Sequence, residues 1–209
     1  MIKLSPRLSA AASLINKNSR LADIGTDHGY VPVFLVKNGL ISCAVASDIN
    51  EGPLSSCKDL VNECGITNID CRISNGLEKI GRDEIDDILI AGMGGDLIVA
   101  ILSACDWVSE KHLVLNPMTH PEIVRKWLYD NGYAIHNDLL VEDSGRVYSV
   151  FDATFCGKVE PKQRKDYFLG NITDFSHKSY FLHLLNYLNN KQKGGEDYSD
   201  VITAIEEIL

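Results

Sequence analysis

Two carboxylates and two glycines alternate through Asp23-Ile24-Gly25-Thr26-Asp27-His28-Gly29, a segment that does chemistry only when folded into a cradle. Gly25 permits a tight turn and a close backbone approach, and Gly29 lets a following helix pack near the preceding strand. Dinucleotide-binding loops carry a further glycine where Asp27 stands, so that a pyrophosphate rests on free backbone N–H groups. A carboxylate in that space repels two phosphates and attracts a cation. The residue types therefore favour S-adenosylmethionine, a sulfonium without phosphates, over NAD.

Three further features have the same character. Asp48 follows Asp23 by 25 residues and stands, with Ile49, where an acid accepts hydrogen bonds from both ribose hydroxyls. Asn75-Gly76 offers a side-chain amide and open backbone to an adenine edge. Gly92-Met93-Gly94-Gly95 leaves room and free N–H groups beside a ligand. Each has a plainer use: a tight turn, a helix cap for Asp48, a generic Asn-Gly turn, or easier helix packing. Four such features at successive strand ends are hard to assign to chance.

Loops of this kind need strands to hold them. Arg20 to Gly25, Ser42 to Asp48, Ile69 to Ser74, Asp87 to Ala91 and His112 to Asn116 are short, mainly apolar runs, the pattern of strands buried on both faces. Helical stretches lie between them at Tyr30 to Asn38, Pro53 to Cys64, Asp96 to Ala104 and Pro121 to Asn131. Gly39, Gly65 and Gly132 stand just past three of their ends. Leu8, Ala11, Ala12 and Ile15 share one face of an opening helix. Tyr133 to Glu142 and Arg146 to Phe155, joined at Asp143-Ser144-Gly145, predict an antiparallel hairpin. Residues 1–157 thus read as an α/β, Rossmann-like sheet of the class I methyltransferase layout, mostly parallel with an antiparallel end.

After Gly157 the composition changes. Tyr180, Phe181, Leu184, Leu185 and Leu188 recur at helical spacing, Lys191 to Gly195 reads as a turn, and Val201, Ile202, Ile205, Ile208 and Leu209 as a last helix. Residues 158–209 therefore predict a small antiparallel helical hairpin. Residues 155–193 hold seven Lys/Arg against three acids, Glu160, Asp166 and Asp174, on a chain of net charge −9. That local excess suits RNA docking and equally suits a solvated surface.

With 209 residues, 45% hydrophobic and 23% charged, the chain can bury one full core and carry a small appendage. No apolar run reaches the length of a bilayer span, and Met1 to Ser13 lacks a signal-peptide profile, so a cytoplasmic protein without a membrane partner is expected. Six cysteines without a C-x-x-C pair read as reduced buried thiols and not as a metal site.

Leu4-Ser5-Pro6-Arg7-Leu8, Gly25-Thr26-Asp27-His28-Gly29-Tyr30, Ala46-Ser47-Asp48-Ile49-Asn50, Ser74-Asn75-Gly76-Leu77 and Ile90-Ala91-Gly92-Met93-Gly94-Gly95 together resemble the bacterial TrmK family. The resemblance extends to Asn116-Pro117 and Gly145-Arg146-Val147-Tyr148, covering roughly three quarters of the chain. It implies S-adenosylmethionine-dependent methylation of tRNA at N1 of adenine 22, with a helical C-terminal domain that helps hold the tRNA. N1 lies on the Watson–Crick edge, so the base must be exposed before a methyl donor reaches it. Methylation there makes the exocyclic amine more acidic, and a nearby carboxylate stabilises the charge or takes the proton.

The resemblance makes Asp27 that carboxylate; organising the turn or holding the methionine ammonium are its alternatives. Asp23, Gly25, Thr26, His28, Gly29, Asp48, Ile49, Asn75, Gly76, Gly92, Met93 and Gly94 are the expected cofactor residues. Arg7, Tyr30, Asn116, Pro117 and Arg146 are the expected substrate residues: Tyr30 for stacking, Asn116 and Pro117 for the target pocket, the arginines for anions. Gly92-Met93-Gly94-Gly95 stands where amino-directed adenine methyltransferases carry an Asn/Asp-Pro-Pro-aromatic motif, which speaks against N6 as the acceptor. Methylation of a small molecule, and cofactor or nucleotide binding without catalysis, remain open alternatives.

Overall fold

Runs of aliphatic residues make strands that need cover on both faces, and helices from both sides supply it. The computed structural model describes residues 2–159 and 161–209; Met1 and Glu160, counted above in the chain's start and in its basic stretch, lie outside the described residues. Arg20–Ile24 (β1), Cys43–Asp48 (β2), Ile69–Ile73 (β3), Asp87–Gly94 (β4) and His112–Thr119 (β5) run parallel. Tyr133–Asp143 (β6) and Arg146–Phe155 (β7) form the hairpin. Among the described residues this is one seven-stranded sheet, order β3-β2-β1-β4-β5-β7-β6, with β7 antiparallel to both neighbours.

Side-chain alternation sorts the two faces. Leu21, Leu89 and Val114 pack with Ala11 of Pro6–Leu14 (α1), Val33 of Tyr30–Lys37 (α2) and Val61 of Glu51–Glu63 (α3). Ala22, Ile88, Ile90 and Leu113 pack with Ile98 of Gly95–Ser103 (α4) and Val124 of Pro121–Asp130 (α5). Because β1 pairs with β2 on one side and β4 on the other, its carboxyl end lies where the strand order reverses. Open α/β sheets leave a ligand crevice there.

Three expectations are corrected. β4 and β5 continue to Gly94 and Thr119, past the predicted ends at Ala91 and Asn116. The register shifts on either side of Met93, and Gly92 has a φ of 84°, so the glycine stretch is a bulged strand end and not a free loop. α3 starts at Glu51, ahead of Pro53, because a proline in the first turn lacks an N–H that has no intrahelical partner anyway. The C-terminal segment holds three helices, Arg164–Leu169 (α6), Lys178–Gln192 (α7) and Ser199–Glu206 (α8), where a two-helix hairpin is predicted. α6 is short and basic and shows little apolar period; the Gln163 amide capped by Asp166 Oδ2 at 2.7 Å and the buried Phe168 hold it. Phe168, Ile172, Phe181, Leu188, Val201 and Ile205 form a core that meets the sheet at Leu140.

Candidate active site

In the turn after β1, the amides of Gly25 and Thr26 both donate to the Ser47 carbonyl, at 2.8 and 2.9 Å, and that of Gly29 donates to the Thr26 carbonyl at 3.0 Å. These three N–H groups are committed to the protein. Gly25 and Gly29 have φ of 71° and 72°; a side chain at Gly25 would overlap the Met93 methyl, and one at Gly29 the Cys57 thiol of α3. Asp27 shares their left-handed backbone, at φ 54°. That conformation explains why glycine suits the slot, and aspartate is among the few residues that tolerate it. Its side chain is 66% exposed, with Oδ1 3.6 Å from His28 Nε2. The His28 ring lies 5.5 Å from that of Tyr30, which is exposed at the start of α2.

Asp23 is buried, and its Oδ2 accepts the Thr26 hydroxyl at 2.6 Å. Burial raises its carboxyl to about 6; the Thr26 hydrogen bond opposes that rise and the charge of Asp48 adds to it. Asp48 ends β2 and accepts the Asn50 amide at 2.9 Å, a local turn that leaves α3 without a side-chain cap. Ile49 beside it is 61% exposed, an apolar surface at the strand end. Asn75 donates to Glu78 Oε1 at 2.7 Å, and Gly76 packs against Ile101. This turn follows β3, two strands out from β1.

At the β4 end, Arg7 reaches over from α1, its Nη1 3.8 Å from where a side chain at Gly92 would begin. Nη1 donates to Asn116 Oδ1 at 3.2 Å, and Nε lies 3.5 Å from Asp143 Oδ2, which also accepts the Ser5 hydroxyl at 2.6 Å. Asn116 is fully buried, with Nδ2 on the Ser149 carbonyl at 3.0 Å, so it reaches the crevice only through Arg7. Pro117 is buried opposite Met93, and Arg146 is exposed opposite Asp143 at the hairpin tip. Gly94 and Gly95 sit tight against Thr119 and the Thr119 and His120 carbonyls, which seats α4 on the β5–α5 corner.

Two groups of expected residues therefore meet: Asp23, Gly25, Thr26 and Asp48 on one side, and Arg7, Gly92, Asn116 and Pro117 on the other, with Met93 touching both. Ser47, Asp143 and Ser149 are not among the expected site residues. Their part is to hold backbone and charged groups from distant segments, and no local pattern marks that. Among the described residues no cluster of three His, Cys, Asp or Glu could hold a metal ion. The donor set fits S-adenosylmethionine: carboxylates stand at the ends of β1 and β2, and three of the turn's amides, those of Gly25, Thr26 and Gly29, are not free for a pyrophosphate.

A model described as a methyltransferase domain matches residues 4–151. The tRNA (adenine(22)-N(1))-methyltransferase of Bacillus subtilis is 40% identical over 155 residues, covering 73% of this chain and 65% of that protein's length. The crystal structure of the B. subtilis M1A22 tRNA methyltransferase TrmK is similar over 100% of this chain and 95% of its own, with a TM-score of 0.84 and 31% identity. A putative tRNA (m1A22) methyltransferase of Streptococcus pneumoniae, in complex with S-adenosyl-L-methionine, is similar over 97% of this chain and 98% of its own, with a TM-score of 0.87 and 28% identity.

Proposed function

The chain belongs to the methyltransferase-domain family, within its TrmK branch, and we propose that it methylates N1 of adenine 22 in tRNA with S-adenosyl-L-methionine as donor. One observation carries the cofactor side: the Gly25 and Thr26 amides are tied to Ser47 while Asp23 and Asp48 put carboxylates at adjacent strand ends. S-adenosyl-L-methionine supplies an electrophilic methyl on a cationic sulfur. Asp23, steadied by Thr26, holds the ammonium, and Asp48 accepts the ribose hydroxyls with Ile49 against the adenine. Asn75 and Gly76 face the adenine edge. Gly25, His28, Gly29, Gly92, Met93 and Gly94 form the remaining wall.

Asp27 projects from the turn and accepts a hydrogen bond from the exocyclic amine of the target adenine, whose acidity rises as N1 is alkylated. Tyr30 offers a ring face for the base. Arg7, oriented by Asn116 behind Pro117, and Arg146 supply cations for RNA phosphates on the same edge.

Residues 158–209 dock the tRNA as a unit distinct from 1–157. Tyr187 of α7 lies 6.4 Å from His120 at the β5–α5 corner, and the Lys191 ammonium sits 5.4 Å over the Tyr187 ring. This brings the Lys191 ammonium toward the β5–α5 corner. Among the described residues no helix is long and apolar enough to cross a membrane, and a tRNA substrate implies a cytoplasmic enzyme. The tRNA-modifying relatives weigh against a small-molecule methyltransferase and against binding without catalysis.

The deciding experiment incubates the protein with labelled S-adenosyl-L-methionine and bulk tRNA and locates the methyl group by nucleoside mass spectrometry. N1-methyladenosine at position 22 is expected. Label at N6, or cofactor binding with no label on tRNA, rejects the proposal.

A further inference from the structure

Arg125 of α5 is a fully buried charge that is not among the cofactor or tRNA residues. Its Nε and Nη2 donate to Asp138 Oδ2 and Oδ1 at 2.9 and 3.0 Å, and Nη2 also donates to Ser149 Oγ at 2.8 Å. Nη1 donates to the carbonyls of Tyr167 and Phe168, at 3.2 and 3.1 Å, in α6. The Ser149 hydroxyl in turn donates to Asp138 Oδ1 at 2.8 Å, so it bridges both ions. The Asn171 amide donates to Asp138 Oδ2 at 3.2 Å. Gly170 closes the cage, since a side chain there would overlap Asp138 and Arg125.

Buried ion pairs of this kind add little stability over apolar groups of the same volume, but they demand one geometry. The geometry here continues to the crevice. Arg125 joins α6 to Ser149, whose hydroxyl pairs Arg125 with Asp138 and whose carbonyl accepts Asn116 Nδ2 at 3.0 Å. Asn116 Oδ1 then accepts Arg7 Nη1 at 3.2 Å, and Arg7 lies beside Gly92. Each link is a hydrogen bond between groups with few alternative partners, so a shift at α6 has a physical route to Arg7.

We propose that Arg125, Asp138 and Ser149 are positioning residues for methyl transfer: they clamp β7 between the C-terminal helices and Asn116, so that the seating of residues 164–171 sets Arg7 at the reacting edge. The inference rests on the tRNA-methylation reading above. It makes the C-terminal segment part of the active-site alignment as well as a docking surface.

The test is a double-mutant cycle on Ser149→Ala and Arg7→Ala, read as single-turnover methylation of tRNA with cofactor and tRNA saturating. Ser149→Ala deletes the bridging hydroxyl and leaves the ion pair intact. Its rate should fall about tenfold while cofactor affinity changes less than about twofold, because alignment and not binding is lost. The double variant should be no slower than Arg7→Ala alone, since both act on one chain of contacts. Ser149→Thr, which retains the hydroxyl, should recover the rate. Should Ser149→Ala fail to fold, Asn171→Ala, at an exposed position where the side-chain Nδ2 donates to the Ile135 carbonyl at 2.6 Å and seats the end of α6, enters the same cycle. An unchanged rate, or losses that multiply in the double variant, overturns the inference. A wild-type protein that leaves tRNA unmethylated overturns the functional reading instead, and the wild-type control separates the two.

Discussion

Asp27 sits in a backbone conformation that few side chains accept, and this lets its charge be tested apart from its geometry. Asparagine tolerates the left-handed region about as well, and glycine tolerates it better. If the carboxylate assists methyl transfer, Asp27→Asn and Asp27→Gly should both fold normally and both lose about 100-fold or more in saturated rate. A full rate in Asp27→Asn would leave Asp27 only a turn residue. Asp23 makes a separate prediction. Burial raises its carboxyl to about 6, so the free protein holds it protonated below that pH. A cation bound beside it favours the ionised form, so binding releases a proton. Cofactor affinity should rise by up to about tenfold per pH unit as pH approaches 6, then level off. Titration calorimetry from pH 5 to 8 reads this, and Asp23→Asn should flatten the profile. A flat wild-type profile would remove Asp23 from the ammonium site.

Among the elements, the bulged end of β4 matters most, because it turns a strand into α4 beside Arg7 and against the β5–α5 corner. Gly95 has no unusual φ; its constraint is contact, since a side chain would overlap the His120 carbonyl. Backbone cannot swing aside as a side chain can. Gly95→Ala should therefore cost about 1–3 kcal/mol and weaken cofactor binding by moving the start of α4. Gly39, at φ 64° with nothing within 4 Å, is the control. Gly39→Ala should cost ~1–2 kcal/mol of strain and leave cofactor affinity alone. Equal effects of the two on affinity would mean that α4 does not shape the site.

At the scale of the whole molecule, the sheet's amino edge carries a staple far from the crevice. His112 Nε2 lies 3.0 Å from Asp152 Oδ2 and Nδ1 3.3 Å from Asp87 Oδ2, joining β4, β5 and β7. Burial pushes the imidazole down, but hydrogen bonding to Asp152 and the charges of Asp152 and Asp87 raise it to about 9. The folded value lies above the unfolded one, 6.5, so this stabilisation is complete below pH 6.5 and is lost as pH rises through about 9. Thermal denaturation should show Tm falling between pH 7 and 9.5 in the wild type and falling less in His112→Gln. Parallel curves would refute the staple.

The sequence by itself determined the alternation of strands and helices, the hairpin after β5, and the loop residues at the strand ends. Those features are legible because they are local: an apolar period, a glycine that must turn, an acid where a glycine is usual. It did not determine that Gly92 to Gly94 prolong a strand, since a bulge depends on the neighbour's register. It left α6 unseen, because that helix is held by Phe168 and by Arg125 more than by its own pattern. Which polar residues work together was decided only in three dimensions. Arg7 and Asn116 are 109 residues apart, and Arg125 is separated by 43 from the Phe168 carbonyl it holds. A buried charge is tolerable only when its partners arrive with it, and their arrival is a property of the packed sheet and helices. The same packing turns the Asp23–Gly29 segment into a turn that ties the Gly25, Thr26 and Gly29 amides to the protein and leaves its carboxylates for a cation.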